Sequence, residues 1–531
     1  MSAPIREAGT SVAVVGGGLA GPAAVVGLCG LGLRVELFEA RRRLGGRAGS
    51  FRDPASGEWL DHCQHVALGC CTNLADFCRR TALADCFRRQ PAVHFIAPNG
   101  TRYDLAAFPL LPAPLDLAPG LLRLGYLRLR DRLRIAHTML RLARLPDQEA
   151  ACDRSVGDWL RGQGESEEAI ERFWSVVLLS ALSETVDRAS LAAARKVFVD
   201  GFLASRRAHE LVVPRVTLGE IYDRRLSAWL SAQGVAVHRG ERIAQIDGSP
   251  ERAEALVLAD GSRREFDLFV VAVPWRRVQG LFSPAIKAAM PALENLRRIE
   301  PAAITAVHLW YDRPITALGN AALVGRLSQW VFHRPTEPDP PPVRRGSPLV
   351  RRGSPDPAEM ADRQVSADLE TFGRARGSVG RPATTGGRSA ATGGKPAATD
   401  AGHYYQVVIS ASHELAGRGR EELAKTVRDE LAAVWPAARD AQLVRFRVVT
   451  EPEAVFSVRP DVDRFRPGQR TPIANLALAG DWTNTGWPAT MEGAVRSGYL
   501  AAEVIREAIG AEKRLLVPDL PRGLLARLLL R

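Results

Sequence analysis

Lysine is scarce in this chain of 531 residues: of 71 basic residues, five are lysine and the rest arginine. Base exceeds acid, leaving a formal net charge of +12. A surplus of that size suits an anionic lipid surface or nucleic acid, although genome composition alone also biases arginine over lysine. Zinc-finger spacing, a helix-turn-helix pattern and a basic-plus-aromatic RNA motif are all missing, so no nucleic-acid partner is expected and membrane contact ranks above it. C-x-x-C pairs are missing too. The seven cysteines (Cys29, Cys63, Cys70, Cys71, Cys78, Cys86 and Cys152) are odd in number, irregular in spacing and confined to the first 152 residues. That argues against a zinc site, and no metal is expected. Scattered cysteines without a secretory signal read as reduced and cytoplasmic. Adjacent Cys70 and Cys71 are expected to pack in a core rather than to cycle as redox thiols.

Charge is absent from Gly9 to Leu33, a window that imitates a signal peptide or a membrane span. Seven glycines there, from Gly16 to Gly32, together with Pro22, fit a strand, a glycine turn and a helix better. Residues 11–16 (SVAVVG) read as a buried parallel strand, 19–32 as a helix and 34–39 (RVELFE) as a second strand. Residues 105–146 are rich in Leu, Pro and Arg. Their second half places apolar residues at near-helical spacing between seven arginines. A helical cap with a solvated arginine face and a membrane-interface helix both fit that pattern. Helices are expected over 155–205, 219–232 and 419–435, and strands in 234–273, 303–312, 328–334, 443–450 and 475–479. Residues 335–402 hold the near-repeat RRGSPLV–RRGSPDP and Gly/Thr/Pro/Ala tracts, and read as a disordered insertion. The flanking strands 329–334 and 404–410 are expected to pair across it, since loop-closure entropy grows only logarithmically with length.

Three constellations carry chemistry. Gly16-x-Gly18-x-x-Gly21 lies between a strand and a helix, where the glycines permit a tight turn, close approach to a pyrophosphate and close helix–strand packing. The helix N-terminus adds free N–H groups and a positive dipole. Glu39 ends the second strand, where a carboxylate accepts the ribose hydroxyls of an adenosine. Gly45-Gly46-Arg47 follows six residues later, fitting a loop that passes close to a diphosphate with Arg47 as a clamp. Near the C-terminus, Gly480-Asp481 follows a strand and Met491-Glu492 opens a helix. Asp481 suits a ribityl hydroxyl, and the helix N-terminus suits the flavin pyrimidine. The cofactor expected is therefore FAD. The fold class expected is α/β: a discontinuous Rossmann-like FAD/NAD(P)-binding domain plus an α+β substrate or cap domain. The cofactor domain is assigned to 8–105, 206–285 and 470–510. The cap is assigned to 106–205, 286–334 and 403–469, with 511–531 as a basic-apolar tail.

Together these residues resemble the amine oxidase and phytoene desaturase superfamily of flavoproteins. The runs Asp61-His62-Cys63-Gln64-His65-Val66, Gly69-Cys70-Cys71-Thr72-Asn73-Leu74 and Gly480 to Ala494 (GDWTNTGWPATMEGA) resemble its squalene-associated branch, the hydroxysqualene dehydroxylases of bacterial squalene and hopanoid synthesis. The resemblance covers most of the chain outside 335–402 and the extreme C-terminus. It departs from the pattern at His62-Cys63, where Asn-Gly is expected. The resemblance implies reductive removal of a hydroxyl from a C30 isoprenoid, with hydride from reduced flavin, in an apolar tunnel that excludes water. It also implies upstream squalene-pathway synthases as partners, while residues 105–146 and the basic tail point to peripheral contact of this cytoplasmic chain with the inner face of the membrane. His65 and Asp61 lie in the family-like loop and are the candidates for the general acid. For His65, a hydrogen-bonded structural role stands equally open. The alternatives are a carotenoid or polyprenoid desaturase, a flavin amine oxidase with an aromatic cage, and a non-catalytic prenyl-lipid binder like the Rab escort proteins.

Overall fold

The computed structural model describes residues 9–146, 150, 153–334, 402–511 and 514–530. Except for Gly402, the expected insertion lies outside the described residues, as does Cys152.

Five strands form a parallel sheet in the order Ala236–Arg239, Arg34–Glu39, Ser11–Val15, Leu268–Val271, Leu476–Leu478. All five residues of Ser11–Val15 are buried, as a strand covered on both faces requires. Val14 sits opposite Leu37 on one side and Val270 on the other. The helix Ala20–Leu28 is buried along its whole length, packed against the helix Met491–Ala508. It is apolar all round, which is the mark of a core helix. It stops at Leu28 rather than at residue 32, because Gly30 and Gly32 take left-handed backbone and turn the chain into the next strand. Three segments far apart in sequence thus build one cofactor-binding sheet.

The second sheet has seven strands, ordered Leu443–Phe456, Pro301–Tyr311, His403–Ser410, Trp330–Arg334, Asn320–Leu323, Ala92–Ile96, Arg102–Ala106. Trp330–Arg334 and His403–Ser410 pair antiparallel, Trp330 opposite Val408 and Arg334 opposite Tyr404, as expected across the insertion. Two differences from the sequence reading have local causes. Residues 92–105, expected in the cofactor domain, join this sheet instead. Ala92–Ile96 has one covered face with Val93 and Phe95 buried, and pairs in parallel with Asn320–Leu323. The strand starting at Leu443 runs on through Pro452 to Phe456. It is an edge strand, and its register against Pro301–Tyr311 slips between Ala302 and Ile304, where a proline is tolerated.

Helices close the space between the sheets. Leu129–Arg144 buries Asp131, Ile135, Thr138, Leu142 and Ala143. Behind it lie the helical segments from Glu167 to Leu182 and from Leu191 to Leu203. Ile135, Leu178, Phe198 and Phe269 belong to one apolar cluster that joins these helices to the parallel sheet. Among the described residues no helix is long and apolar enough to cross a membrane.

Candidate active site

The turn after the first strand and the loop 43–48 are stacked on each other. Gly45 N–H donates to Gly17 O at 2.9 Å, and Gly18 bridges to Gly45. A Cβ on Gly21 would stand 1.9 Å from Gly16 O, and one on Gly46 would stand 3.0 Å from Gly18 Cα. A side chain at Gly21 would break the packing of the helix start on the turn, and one at Gly46 would crowd a backbone-walled groove at a helix N-terminus, the surface a diphosphate needs. Glu39 borders this groove. Its two oxygens accept one N–H each, from Gly17 at 2.7 Å and Arg41 at 2.8 Å, which leaves lone pairs for ribose hydroxyls.

Arg47 borders the cavity beside Gly45 and Gly46. Its guanidinium donates to Asp481 Oδ1 at 2.5 Å and to Ala454 O at 2.9 Å. It ties the loop 43–48 to Asp481, which also borders the cavity. The helix starting at Met491 is capped by Thr490, whose hydroxyl accepts from Gly493 N at 3.1 Å. Met491 borders the cavity and meets Tyr222 Oη at 3.7 Å. Glu492 also reaches the cavity wall, but its carboxylate caps another helix. It accepts from Asn73 N at 3.1 Å, Asn73 Nδ2 at 3.0 Å and Leu74 N at 2.7 Å, at the start of Thr72–Arg80. Burial raises its pKa against those hydrogen bonds. Its carboxylate oxygens are thus engaged in that cap.

The two catalytic candidates part company. Asp61 is buried and does not border the cavity. Oδ1 accepts from Ser50 Oγ at 2.5 Å and from Leu218 N at 2.8 Å, and Oδ2 pairs with Arg334. It is a strut between the loop and the seven-stranded sheet, not a proton donor to substrate. His65 does border the cavity. Its Nδ1 lies 3.0 Å from Cys63 O, and burial pushes its pKa down. Nδ1–H donating to that carbonyl leaves Nε2 unprotonated, so the ring is set up to accept a proton rather than to give one. At the departure from the family pattern, His62 Nε2 takes the Arg43 guanidinium at 2.9 Å, and burial with Arg43 lowers its pKa to about 4. Cys70 is buried as expected of a packing thiol, and it clusters with Ala208 and Trp487.

The glycine groove is one end of a cavity of about 1230 Å³ in all, larger than the ~300–1,000 Å³ of common ligand pockets. The far wall is apolar, with Val176, Val177, Ala181, Val197 and Phe202 facing Phe332. One ion pair stands in it that the sequence reading did not single out. Lys196 Nζ lies 2.8 Å from Asp200 Oδ2, one helical turn on, and 4.6 Å from the centroid of the Trp487 ring. The scarcity of lysine was the available signal, since Lys196 is one of five in the chain.

The family model for flavin containing amine oxidoreductases matches residues 19–350 and 370–506. A probable zeta-carotene desaturase of Synechococcus elongatus is 25% identical over 519 residues, covering 94% of this chain and 98% of that protein. A hydroxysqualene dehydroxylase of Rhodopseudomonas palustris is 24% identical over 502 residues, covering 94% and 99%. The crystal structure of an oxidoreductase from Methanosarcina mazei shares the fold, with a TM-score of 0.63 at 17% identity, covering 94% of this chain and all of that one. The glycine groove, the Glu39 carboxylate and the capped C-terminal helix fit FAD, and the chain belongs to the flavin containing amine oxidoreductase family as an FAD-dependent oxidoreductase.

Proposed function

We propose that this oxidoreductase acts on a long-chain isoprenoid and removes the hydroxyl of hydroxysqualene reductively to give squalene. The observation that carries the reading is the apolar continuation of the flavin cavity. It has room for a hydrocarbon chain, and there is no tyrosine among its described lining residues to build an amine-oxidase cage. When bound, the flavin supplies the hydride. The chain's own part is the proton. The Lys196 ammonium, held by Asp200 and lying over Trp487, donates to the leaving hydroxyl, which departs as water. The apolar wall keeps other nucleophiles from the developing cation. The same reading keeps the chain in the cytoplasm against the inner face of the membrane, near the synthases that supply its substrate.

The second reading is a carotenoid desaturase, a name borne by several relatives. The unprotonated Nε2 of His65 is the observation that favours it, because dehydrogenation needs a proton acceptor. Product analysis separates the two. Flavin-loaded protein is incubated with hydroxysqualene and a chemical reductant, and in parallel with phytoene and a quinone. Squalene from the first mixture alone supports the dehydroxylase; a desaturated product from the second alone overturns it.

A further inference from the structure

Two remote segments expose large apolar side chains side by side. From the first come Phe108, Leu110, Leu115, Leu122, Leu129 and Leu133; from the second come Leu524 and Leu528. Leu110, Leu524 and Leu528 are more than four-fifths exposed, at 84%, 83% and 83%. The helix Leu524–Leu529 is docked on Leu129–Arg144. Ala526 and Leu530 pack with Ala143, Val199 and Leu203, and Arg144 Nε donates to Leu529 O at 2.9 Å. Met139 and Ala143, which touch the tail helix, lie about 80° round the helix from the Leu129–Leu133 stripe at its ~100° per residue. The two apolar faces therefore flank each other.

The loop bearing Leu110 is held to the same region. Arg206 donates to Pro109 O at 2.8 Å and to Phe108 O at 3.2 Å, and Gly523 N donates to Ala204 O at 3.3 Å. Between residues 106–113, 205–210 and 521–523 lies a second cavity of about 640 Å³. The two cavities border one stretch of chain: Gly201, Phe202 and Leu211 line the large one, and Ser205, Arg206, Arg207, His209 and Glu210 line the small one.

Charge decides what covers this surface. Residues 106–146 carry seven arginines and two acids, Asp116 and Asp131, and both acids are buried. Arg123, Arg130, Arg134 and Arg141 are exposed there, as is Arg527 on the tail helix. The acid in the described tail, Asp519, is paired with Arg496 at 2.7 Å. Leucines ringed by arginine, with no exposed carboxylate between Ala106 and Pro146, match an anionic interface and repel a second copy of the same cationic face.

We propose that this face docks on an anionic phospholipid bilayer, with the leucines in the acyl boundary and the arginines among the headgroups. On the isoprenoid reading above, substrate leaving that bilayer meets the smaller cavity first, but the docking itself does not depend on that reading. The test uses the flavin-loaded full chain and no substrate, so its failure is separate from failure of the redox assignment. Co-sedimentation is measured with phosphatidylglycerol–phosphatidylcholine vesicles and with pure phosphatidylcholine vesicles at low salt. The wild type is expected to pellet with the first and much less with the second. The triple variant Leu110→Ser, Leu524→Ser, Leu528→Ser is expected to bind about tenfold more weakly or worse, with flavin content unchanged. Arg123→Gln with Arg141→Gln is expected to lose about tenfold on the anionic vesicles only. Val444→Ser, at an exposed apolar site on the edge strand, is expected to bind as wild type. Wild-type protein left in the supernatant, or variants that pellet like wild type, would overturn the proposal. So would a lipid-free dimer in sedimentation velocity that the triple variant dissolves, since that makes the face a contact between copies.

Discussion

At the end of the large cavity formed by Gly16, Gly18, Gly45 and Gly46 the wall is backbone; at the end formed by Val176, Val177, Ala181 and Phe202 it is side chain. At Gly16, Gly45 and Gly46 of the first a side chain has little room, since a Cβ would stand 2.4 Å from Ala272 O, 2.6 Å from Ala48 O and 3.0 Å from Gly18 Cα. The second can swap one apolar side chain for another at the cost of shape alone. The cofactor end therefore announces its ligand, and the substrate end announces only that its ligand is oily.

Four measurements would break or sharpen that contrast. The largest effect is expected at the backbone end: Gly21→Ala drives a methyl into Gly16 O and should give folded protein without flavin, seen as loss of visible absorbance. Flavin retained at wild-type stoichiometry would mean that the groove is not the phosphate site. Next, Lys196→Met should lower kcat by about 10²- to 10⁴-fold with flavin content unchanged. Lys196→Arg keeps a cation beside Asp200 but is too weak an acid to give up a proton, so it should stay equally slow; restored turnover would make Lys196 a structural cation. Third, Asp61→Asn leaves Arg334 buried without its charge partner and should cost roughly 3–5 kcal/mol of stability. Turnover per bound flavin should hold, whereas a fall like that of Lys196→Met would return Asp61 to the chemistry.

The smallest effect concerns pH. Folding lowers the pKa of His62 to about 4 and of buried His308 to about 3, from 6.5, chiefly by desolvation. The unfolded chain then binds more protons than the folded one below pH 6.5. Stability is full above 6.5 and is lost as the pH falls toward 4 and then 3, by roughly a few kcal/mol. Thermal unfolding across that range checks the sign, and a midpoint that rises on acidification would contradict it.

The same contrast explains what could be read in advance. The strand–glycine–helix opening and the paired flanks at 329–334 and 404–410 follow from local sterics and alternation, and the structure has them as expected. The roles of Arg47, Asp61 and Glu492 were not legible, because each is set by a partner far away in sequence: Asp481, Arg334 and Asn73. Residue type and spacing identified these charges as significant but not as struts. The Lys196–Asp200 pair was hidden for the opposite reason. A lysine and an aspartate one turn apart look like any solvated helix pair until Trp487 closes over them. The exposed leucines of 105–146 read equally as cap or interface, and only the docking of the tail helix beside them shows how far the apolar face extends.

The central claim is that hydride moves from flavin to an isoprenoid carbon as its hydroxyl leaves. The most direct test is a single turnover: photoreduced protein mixed anaerobically with hydroxysqualene, with flavin absorbance and extracted hydrocarbon followed together. One squalene formed per flavin reoxidised is the expected result; flavin that stays reduced, with no squalene formed, would contradict the account.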